Sequence, residues 1–299
     1  MAPNAASDEY RVAVSVANPD HVDQLMRTAI DVARDRGGTV FVVSAKVVPR
    51  SSPVWVFRDE VIREEFGEQR QELLDRAVAA AADTGVPVEG RLVVADSVAS
   101  GLLRVVEQQD IDALLMGWHA RRRGDIVMGH IVDEVVAAAP CDVLVEKIGP
   151  TAGGVETVLL PAGEGDHTAL AAAVSRAIAA ANDATVEVVR VVDPDADEAA
   201  RARAAELARD VAADVGPVAT ETAVVEGEDV VGALVAAAEA RDVTVIGGGR
   251  GGRLRRFVVG STAREVGRRA DATVVVATRN RSVRSRLSRL RNLVGSSAG

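Results

Sequence analysis

The stretch GGGRGGRLRRFVVGST, in the last fifth of the chain, carries residue types that could bind a phosphate group. A helix that begins after Gly260 would expose unpaired backbone N–H groups with partial positive charge. Gly260 would let an oxyanion approach the backbone, and Ser261 and Thr262 would add hydroxyl groups. Arg250 and Arg253 would add positive charge. The stretch therefore predicts a phosphate-binding loop; the alternative is a loop that only helps a helix to pack and serves an interface.

A less complete version of this pattern lies earlier in the chain. Gly117 and Gly129 correspond to Gly247 and Gly260, but their spacing is one residue shorter. His130 stands where the later copy has a serine. The earlier loop keeps fewer groups that could hold a phosphate, so we interpret it as a degenerate counterpart of the later one.

The two loops belong to two copies of one longer unit. RVAVSVANPDH resembles TVLLPAGEGDH at an offset of 146 residues, and further on DEVV resembles REVG at an offset of 131. The first copy therefore holds about 15 extra residues, which we place at about 50–66. This insertion contains Trp55, Phe57 and Phe66, which would form either a lid or interface or local packing under a longer helix.

Each copy alternates short β-branched runs with longer segments of helical period. The runs predict five strands per copy, at Val12–Val16, Val40–Val43, Gly90–Val94, Ala113–Met116 and Val143–Val145, and at Val158–Leu160, Val186–Val191, Glu221–Val225, Val243–Ile246 and Thr273–Val276. This alternation predicts the α/β class, with two tandem doubly wound, Rossmann-like domains that have parallel sheets and pack as an internal pseudo-dimer. Ligands of such sheets bind at the carboxyl ends of the strands, near the point where the strand order reverses.

Composition and motifs exclude several classes of protein. The net charge of −9 argues against nucleic-acid binding, and the single cysteine rules out an internal disulfide framework. We predict no metal beyond one that accompanies a nucleotide, because no His, Cys and Asp residues have ligand spacing. Without a P-loop, a nucleophile elbow or a local Ser/His/Asp arrangement, we predict no enzyme. The polar start of the chain and the lack of a long apolar segment predict a cytoplasmic protein.

The duplicated unit, the VIGGG strand end and the GST…EV helix start resemble those of the tandem universal stress proteins. The resemblance runs from about Tyr10 to Thr278 and implies two domains of the HUP type, at 9–149 and 154–278. The first copy is also similar, in LLMGW, VDEVV and PCDVLVEK, to the stress-protein domains attached to some amino-acid transporters.

The resemblance implies an ATP or related nucleotide site on the pattern G-x-x-G-x9-G-[ST]. Gly247, Gly260 and Ser261 match it in the second copy, whereas Arg250 replaces the middle glycine. ATP-binding members also carry an aspartate at the end of the first strand. That position falls on Ala17 in the first copy and on about Gly163 in the second, so neither copy has the carboxylate.

A basic tail, 279–299, follows the second copy. It carries six arginines from Arg279 to Arg291, and its apolar residues recur at helical spacing. It could form an amphipathic helix on an anionic membrane surface or an acidic partner, or else a solvated tail.

Three functions follow from these features. The first is a non-enzymatic stress-response or regulatory protein with a nucleotide site in the second copy and, as a further partner, another copy in a homodimer. The second is a nucleotide-independent module that regulates a membrane transporter, for example of amino acids, peripherally at the inner face of the cell membrane. The third is nucleotide hydrolysis, for which no residue offers a catalytic base.

Overall fold

The computed structural model describes residues 9–48, 68–118, 129–148, 154–249 and 259–280. We call residues 9–148 the first half and residues 154–280 the second half. The first half contains β1 (Arg11–Ser15), α1 (Val22–Asp35), β2 (Thr39–Val47), α2 (Glu68–Ala80), β3 (Val88–Ala95), α3 (Val98–Gln108), β4 (Ala113–Trp118), α4 (His130–Ala138) and β5 (Asp142–Lys147). The second half contains β6 (Thr157–Pro161), α5 (Asp166–Asn182), β7 (Thr185–Val192), α6 (Glu198–Val215), β8 (Thr220–Glu226), α7 (Val230–Glu239), β9 (Val243–Gly247), α8 (Ser261–Arg269) and β10 (Thr273–Thr278).

The ten strands form one sheet in the order β3-β2-β1-β4-β5-β10-β9-β6-β7-β8. Within each half every strand pair is parallel, and the strand order reverses beside β1 and beside β6. All ten predicted strands are present, and the doubly wound α/β architecture predicted from the sequence is confirmed. The switch points that can hold ligands therefore lie at the carboxyl ends of β1 and β4 and of β6 and β9.

The two halves join through β5 and β10, which pair in antiparallel orientation. Val145 is paired with Val276, its own equivalent at the offset of 131. A pseudo-twofold axis therefore passes through this pair, and the predicted internal pseudo-dimer is a continuous sheet. We call the β5–β10 junction and the helices that cross it the seam.

Two apolar layers cover the sheet. Alternate strand residues point to opposite faces, so Val12 and Val14 lie in one layer and Ala13 lies in the other. The first layer is completed by α1, α2, α5 and α6, and the second by α3, α4, α7 and α8. Both layers continue across the seam, so the two halves share their cores.

The extra residues of the first half lie in one connection. Residues 48–67 separate β2 from α2, whereas only residues 193–197 separate the equivalent elements β7 and α6. Trp55, Phe57 and Phe66 fall outside the described residues. Among the helices in the described part of the chain, none is both long and apolar enough to cross a membrane.

Candidate functional site

The predicted site lies at the carboxyl edge of the second half, where β6 and β9 end and α5 and α8 begin. Val12 of β1 is level with Ala113 of β4, and Val158 of β6 is level with Val243 of β9. Counting along each strand from these levels makes Gly117 and Gly247 equivalent, as the sequence pattern predicts.

Gly247 is held against the first turn of α5. A Cβ atom at this position would lie 3.0 Å from the backbone carbon of His167 and 3.0 Å from the backbone nitrogen of Thr168. These neighbours are backbone atoms of a helix and cannot turn aside. The glycine is therefore needed for the close approach of β9 to α5.

Gly260 closes the loop that follows β9. Its N–H donates a hydrogen bond to the carbonyl oxygen of Gly248, and a Cβ at Gly260 would lie 2.9 Å from that oxygen. The backbone N–H of Gly260 is thus already bonded within the protein. At the start of α8, the N–H groups that could bind a phosphate are therefore those that follow, from Ser261 and Thr262 on.

The amino end of α8 differs from those of six other helices. Its N-cap is Gly260, no side chain of the described residues caps it, and its first turn holds no acidic residue. The helices α1, α4 and α5 also lack a side-chain cap, but each has an acid in its first turn: Asp23, Asp133 and Asp166. Side chains do cap α3, α6 and α7. The partial positive charge at the start of α8 is therefore open to an anion.

Ser261 and Thr262 stand at this open helix end. Ser261 is exposed and Thr262 is partly exposed, so both hydroxyl groups can reach a ligand. Arg250 and Arg253, predicted to assist them, fall outside the described residues. The structure thus brings together four of the six predicted residues: Gly247, Gly260, Ser261 and Thr262.

Gly163, at the position where the resemblance implies an aspartate, has no charge and little room for a side chain. A Cβ at Gly163 would lie 2.8 Å from the Thr168 hydroxyl. Nearby, the Arg190 guanidinium donates a hydrogen bond of 3.0 Å to the carbonyl oxygen of Ala162. The strand end at which the family resemblance implies an aspartate thus carries a cation here. Arg190 was not predicted from the sequence; its only signal is one arginine within an apolar strand.

The equivalent edge of the first half is filled by a large side chain. Trp118 occupies the place of Gly248 and is buried. Its ring lies 3.1 Å from where a Cβ of Gly267, in α8 of the second half, would be. Gly129 and His130 begin α4 as predicted, but this helix carries Asp133 in its first turn. At this strand end the first half thus packs against the second half through Trp118.

His167 anchors the start of the basic tail at the same edge. Its Nδ1 accepts a hydrogen bond of 3.0 Å from the backbone N–H of Arg279. The side-chain amide of Asn280 donates a hydrogen bond of 2.6 Å to the carbonyl oxygen of Val136. Arg279 and Asn280, with which the tail begins, are therefore fixed to the body at this edge; residues 281–299 fall outside the described part.

A second polar group is buried at the seam. Glu146 of β5 accepts a hydrogen bond of 2.8 Å from the Gln24 side chain on Oε1. Asp31 of α1 lies nearby and accepts a hydrogen bond from Asn182 across the seam. With Arg27, these side chains help to line a cavity of about 20 Å³, room for about one water molecule.

Burial changes the acidity of these two carboxyl groups. Desolvation raises the pKa of Glu146 to about 7, although the hydrogen bond from Gln24 opposes the shift. Desolvation likewise raises the pKa of Asp31 to about 7, against the hydrogen bond from Asn182. Neither residue was predicted from the sequence. Across residues 9–48, 68–118, 129–148, 154–249 and 259–280, no three His, Cys, Asp or Glu side chains form a possible metal site.

Comparison with known families matches this chain twice to the model described as the universal stress protein family, over residues 10–147 and 154–278. The chain belongs to the universal stress protein family. A search of curated proteins returns no match.

Solved structures similar to the chain share its tandem fold. A universal stress protein from Archaeoglobus fulgidus DSM 4304 is 16% identical, with 90% of this chain and 96% of that chain covered at a TM-score of 0.61. A putative universal stress protein from Pseudomonas aeruginosa UCBPP-PA14 is 18% identical, with 91% and 94% covered at 0.61. The cytoplasmic domain of a prokaryotic cation chloride cotransporter is 12% identical, with 93% and 98% covered at 0.56. At these identities the likeness concerns the fold alone.

Proposed function

We propose that this universal stress protein is a non-enzymatic regulatory protein that binds ATP or a related nucleotide in its second half. The observation that carries the proposal is the open amino end of α8, which has neither a capping side chain nor an acidic first turn. The phosphates would accept hydrogen bonds from the N–H groups and hydroxyls of Ser261 and Thr262. Arg250 and Arg253 would supply charge from the preceding loop.

The nucleoside would bind differently from the usual mode of the family. Gly163 provides no carboxylate for the ribose, and Arg190 presents a guanidinium group beside the same strand end. A cation there favours the phosphate part of a ligand over its sugar. We therefore expect affinity to depend on the number of phosphates more than on the sugar.

The first test is whether the protein holds or binds a nucleotide. The purified protein is denatured, released adenine nucleotides are separated by chromatography, and ATP is then titrated into fresh protein by calorimetry. We expect ATP to bind more tightly than AMP and to be recovered unchanged after incubation. No released nucleotide and no heat of binding would rule out the site, and recovery of ADP would rule out a purely binding role.

The second test places a negative charge at the start of α8. Ser261→Glu favours the helix, because it complements the helix dipole, yet it repels phosphate. We expect at least a tenfold weaker affinity for ATP with an unchanged or higher Tm. His130→Glu is the matched control, because His130 has the same position in α4, and it should leave the affinity within about twofold. Equal affinity of Ser261→Glu and wild type would show that α8 does not bind the phosphates.

Gly260 is a poor site for such a test. A side chain at this position would meet the carbonyl oxygen of Gly248, so loss of binding could reflect a displaced loop. Ser261 avoids this ambiguity because its side chain is exposed.

We infer a second, separate role for the basic tail as a contact with anionic membrane surface. His167 and Val136 hold Arg279 and Asn280, the first two residues of the tail, against the body. Truncation after Asn280 should abolish co-sedimentation with vesicles that contain anionic lipid, without affecting the Tm. Unchanged co-sedimentation would contradict this role and would leave a protein partner, such as a transporter, as the alternative predicted from the sequence.

A further inference from the structure

We propose that the seam is built to accept only the opposite half of the chain, so that neither half can pair with a second copy of itself. Three asymmetric contacts around the pseudo-twofold axis carry this inference: a charge pair, a tryptophan in a glycine notch, and an ion pair between α1 and α5. The inference does not depend on nucleotide binding.

The charge pair joins two equivalent positions. Asp133 of α4 and Arg264 of α8 are related by the offset of 131, and they meet across the axis at 3.4 Å between Oδ1 and Nη2. The Arg264 side chain is only 8% exposed. Two copies of the first half would place Asp133 against Asp133, and two copies of the second half would place Arg264 against Arg264. Like charges this close repel each other, and most strongly between two Arg264 side chains, because Asp133 is 31% exposed.

The tryptophan contact is equally selective in shape. Trp118 packs on Gly267, whose equivalent in the first half is Val136. A Cβ at Gly267 would already lie 3.1 Å from the Trp118 ring, so a valine there would overlap with it. Pairing of two first halves would create this overlap. Pairing of two second halves would set Gly267 opposite Gly248 and leave a void.

The opposite face of the sheet repeats the asymmetry. Arg176 of α5 makes two hydrogen bonds to Asp35 of α1, of 3.0 and 2.8 Å. The equivalents of these residues are Ile30 and Ala181, so this pair forms once rather than twice. In either homotypic pairing a charged group would face an apolar one. All three contacts thus favour the heterotypic seam and disfavour both homotypic seams.

The first test reproduces each homotypic seam within the full chain. Asp133→Arg imitates the pairing of two second halves, and Arg264→Asp imitates the pairing of two first halves. We expect each single change to lower the Tm by about 5–10 °C, and the double change to restore more than half of that loss. Glu134→Arg, an exposed change of the same kind on α4, is the control and should shift the Tm by less than about 2 °C. Single variants with wild-type Tm, or a double variant as unstable as the sum, would overturn the charge part of the proposal.

The second test concerns shape. Gly267→Val should lower the Tm by a similar amount, although valine suits a helix better than glycine does. Trp118→Ala lowers the Tm by itself because it leaves a cavity, but in that background Gly267→Val should cause a smaller further loss, because the overlapping ring is gone. A Gly267→Val protein with unchanged Tm would overturn the shape part.

The third test measures the choice of partner directly. A protease site is placed in residues 149–153 of the full chain, and the folded protein is cut. Cut protein with 15N label is mixed with unlabelled cut protein and equilibrated. Native mass spectrometry then gives the mass of each complex, and complexes with one labelled and one unlabelled half show that the halves have exchanged partners. Complexes of one first half with one second half should account for more than nine-tenths of the dimeric species. A substantial population of first-half or second-half homodimers would overturn the proposal.

Discussion

The first and second halves have the same strand order, but they use equivalent buried positions differently. In the first half, the seam-facing side of α1 and β5 carries Gln24, Asp31 and Glu146. Their equivalents in the second half are Leu170, Ala177 and Ala277, all buried and apolar. A fold of this kind thus needs no polar group at these positions. The first half carries three, whereas the second half has a glycine-lined edge at the end of β9.

A change of pH should have the largest effect on the difference between the two halves, because only the first half has carboxyl groups at these buried positions. Glu146 and Asp31 hold their protons in the folded protein up to about pH 7, whereas in the unfolded chain they lose them at their ordinary pKa values of 4.5 and 3.8. The folded state binds more protons over this interval, so the free energy of unfolding falls as pH rises from about 4 to 7 and then levels off. With about 1.4 kcal/mol per pKa unit and two groups, we expect a loss on the order of 5 kcal/mol between pH 5 and pH 8 in urea unfolding.

The Glu146→Gln/Asp31→Asn double variant isolates these two groups, because the amides cannot ionise. It should lose much less stability than wild type over the same interval. If both proteins show the same pH dependence, the buried carboxyls of the first half are not responsible for it.

The next prediction compares the ends of β4 and β9, at Gly117 and Gly247. Gly247→Ala would push a Cβ against the backbone of α5, whereas Gly117→Ala would meet the flexible ends of the Leu25 side chain, at 3.2 Å, and the Ile148 side chain, at 3.6 Å. We expect Gly247→Ala to cost about 2 kcal/mol of unfolding free energy and Gly117→Ala less than about 1 kcal/mol. Equal losses in chemical denaturation would mean that the two edges are equally tight, and the contrast between them would fail.

The ion pair between α1 and α5 should give the smallest effect. Arg176→Ala removes an ion pair that has two hydrogen bonds and is mostly shielded from water. We expect it to lower the free energy of unfolding by about 1 kcal/mol. Arg76→Ala removes an exposed pair with Asp23 inside the first half and should cost less than about 0.5 kcal/mol. Urea unfolding of both variants decides whether pairing across the seam contributes more than pairing within one half.

Much of the fold could be predicted from the sequence. The ten strands, the duplication and the pseudo-dimer follow from apolar periodicity and from two alignment offsets, because a buried parallel sheet requires continuous β-branched runs. Gly247 and Gly260 could be placed at one edge for the same reason, since equivalent strand ends meet at the same side of a sheet.

The sequence could not predict how this edge is used. The hydrogen bond from the Gly260 N–H to Gly248 depends on the path of a loop, which the sequence does not give. The lack of a carboxylate at the start of α8 becomes informative only when it is compared with the helices that have an acid in their first turn. Likewise, Asp133 and Arg264 were aligned as equivalents, but only the seam shows that they touch. Glu146 could have been noticed in the sequence, because it is an acid within an apolar strand. Its role can be understood only from the neighbouring strand β10, which lies 131 positions further along the chain.

The distance along the chain between β5 and β10 has a consequence for synthesis. The β5 strand is complete at Lys147, but the strand that covers it ends only at Thr278. At ordinary translation speeds the inner edge of the newly made first half stays open for roughly ten seconds. An open edge strand recruits other strands and aggregates unless it carries charge. Glu146 and Lys147 hold the last two positions of β5 and place charges of opposite sign on that edge. The residues that later form the polar centre of the seam therefore first protect the newly made first half against aggregation.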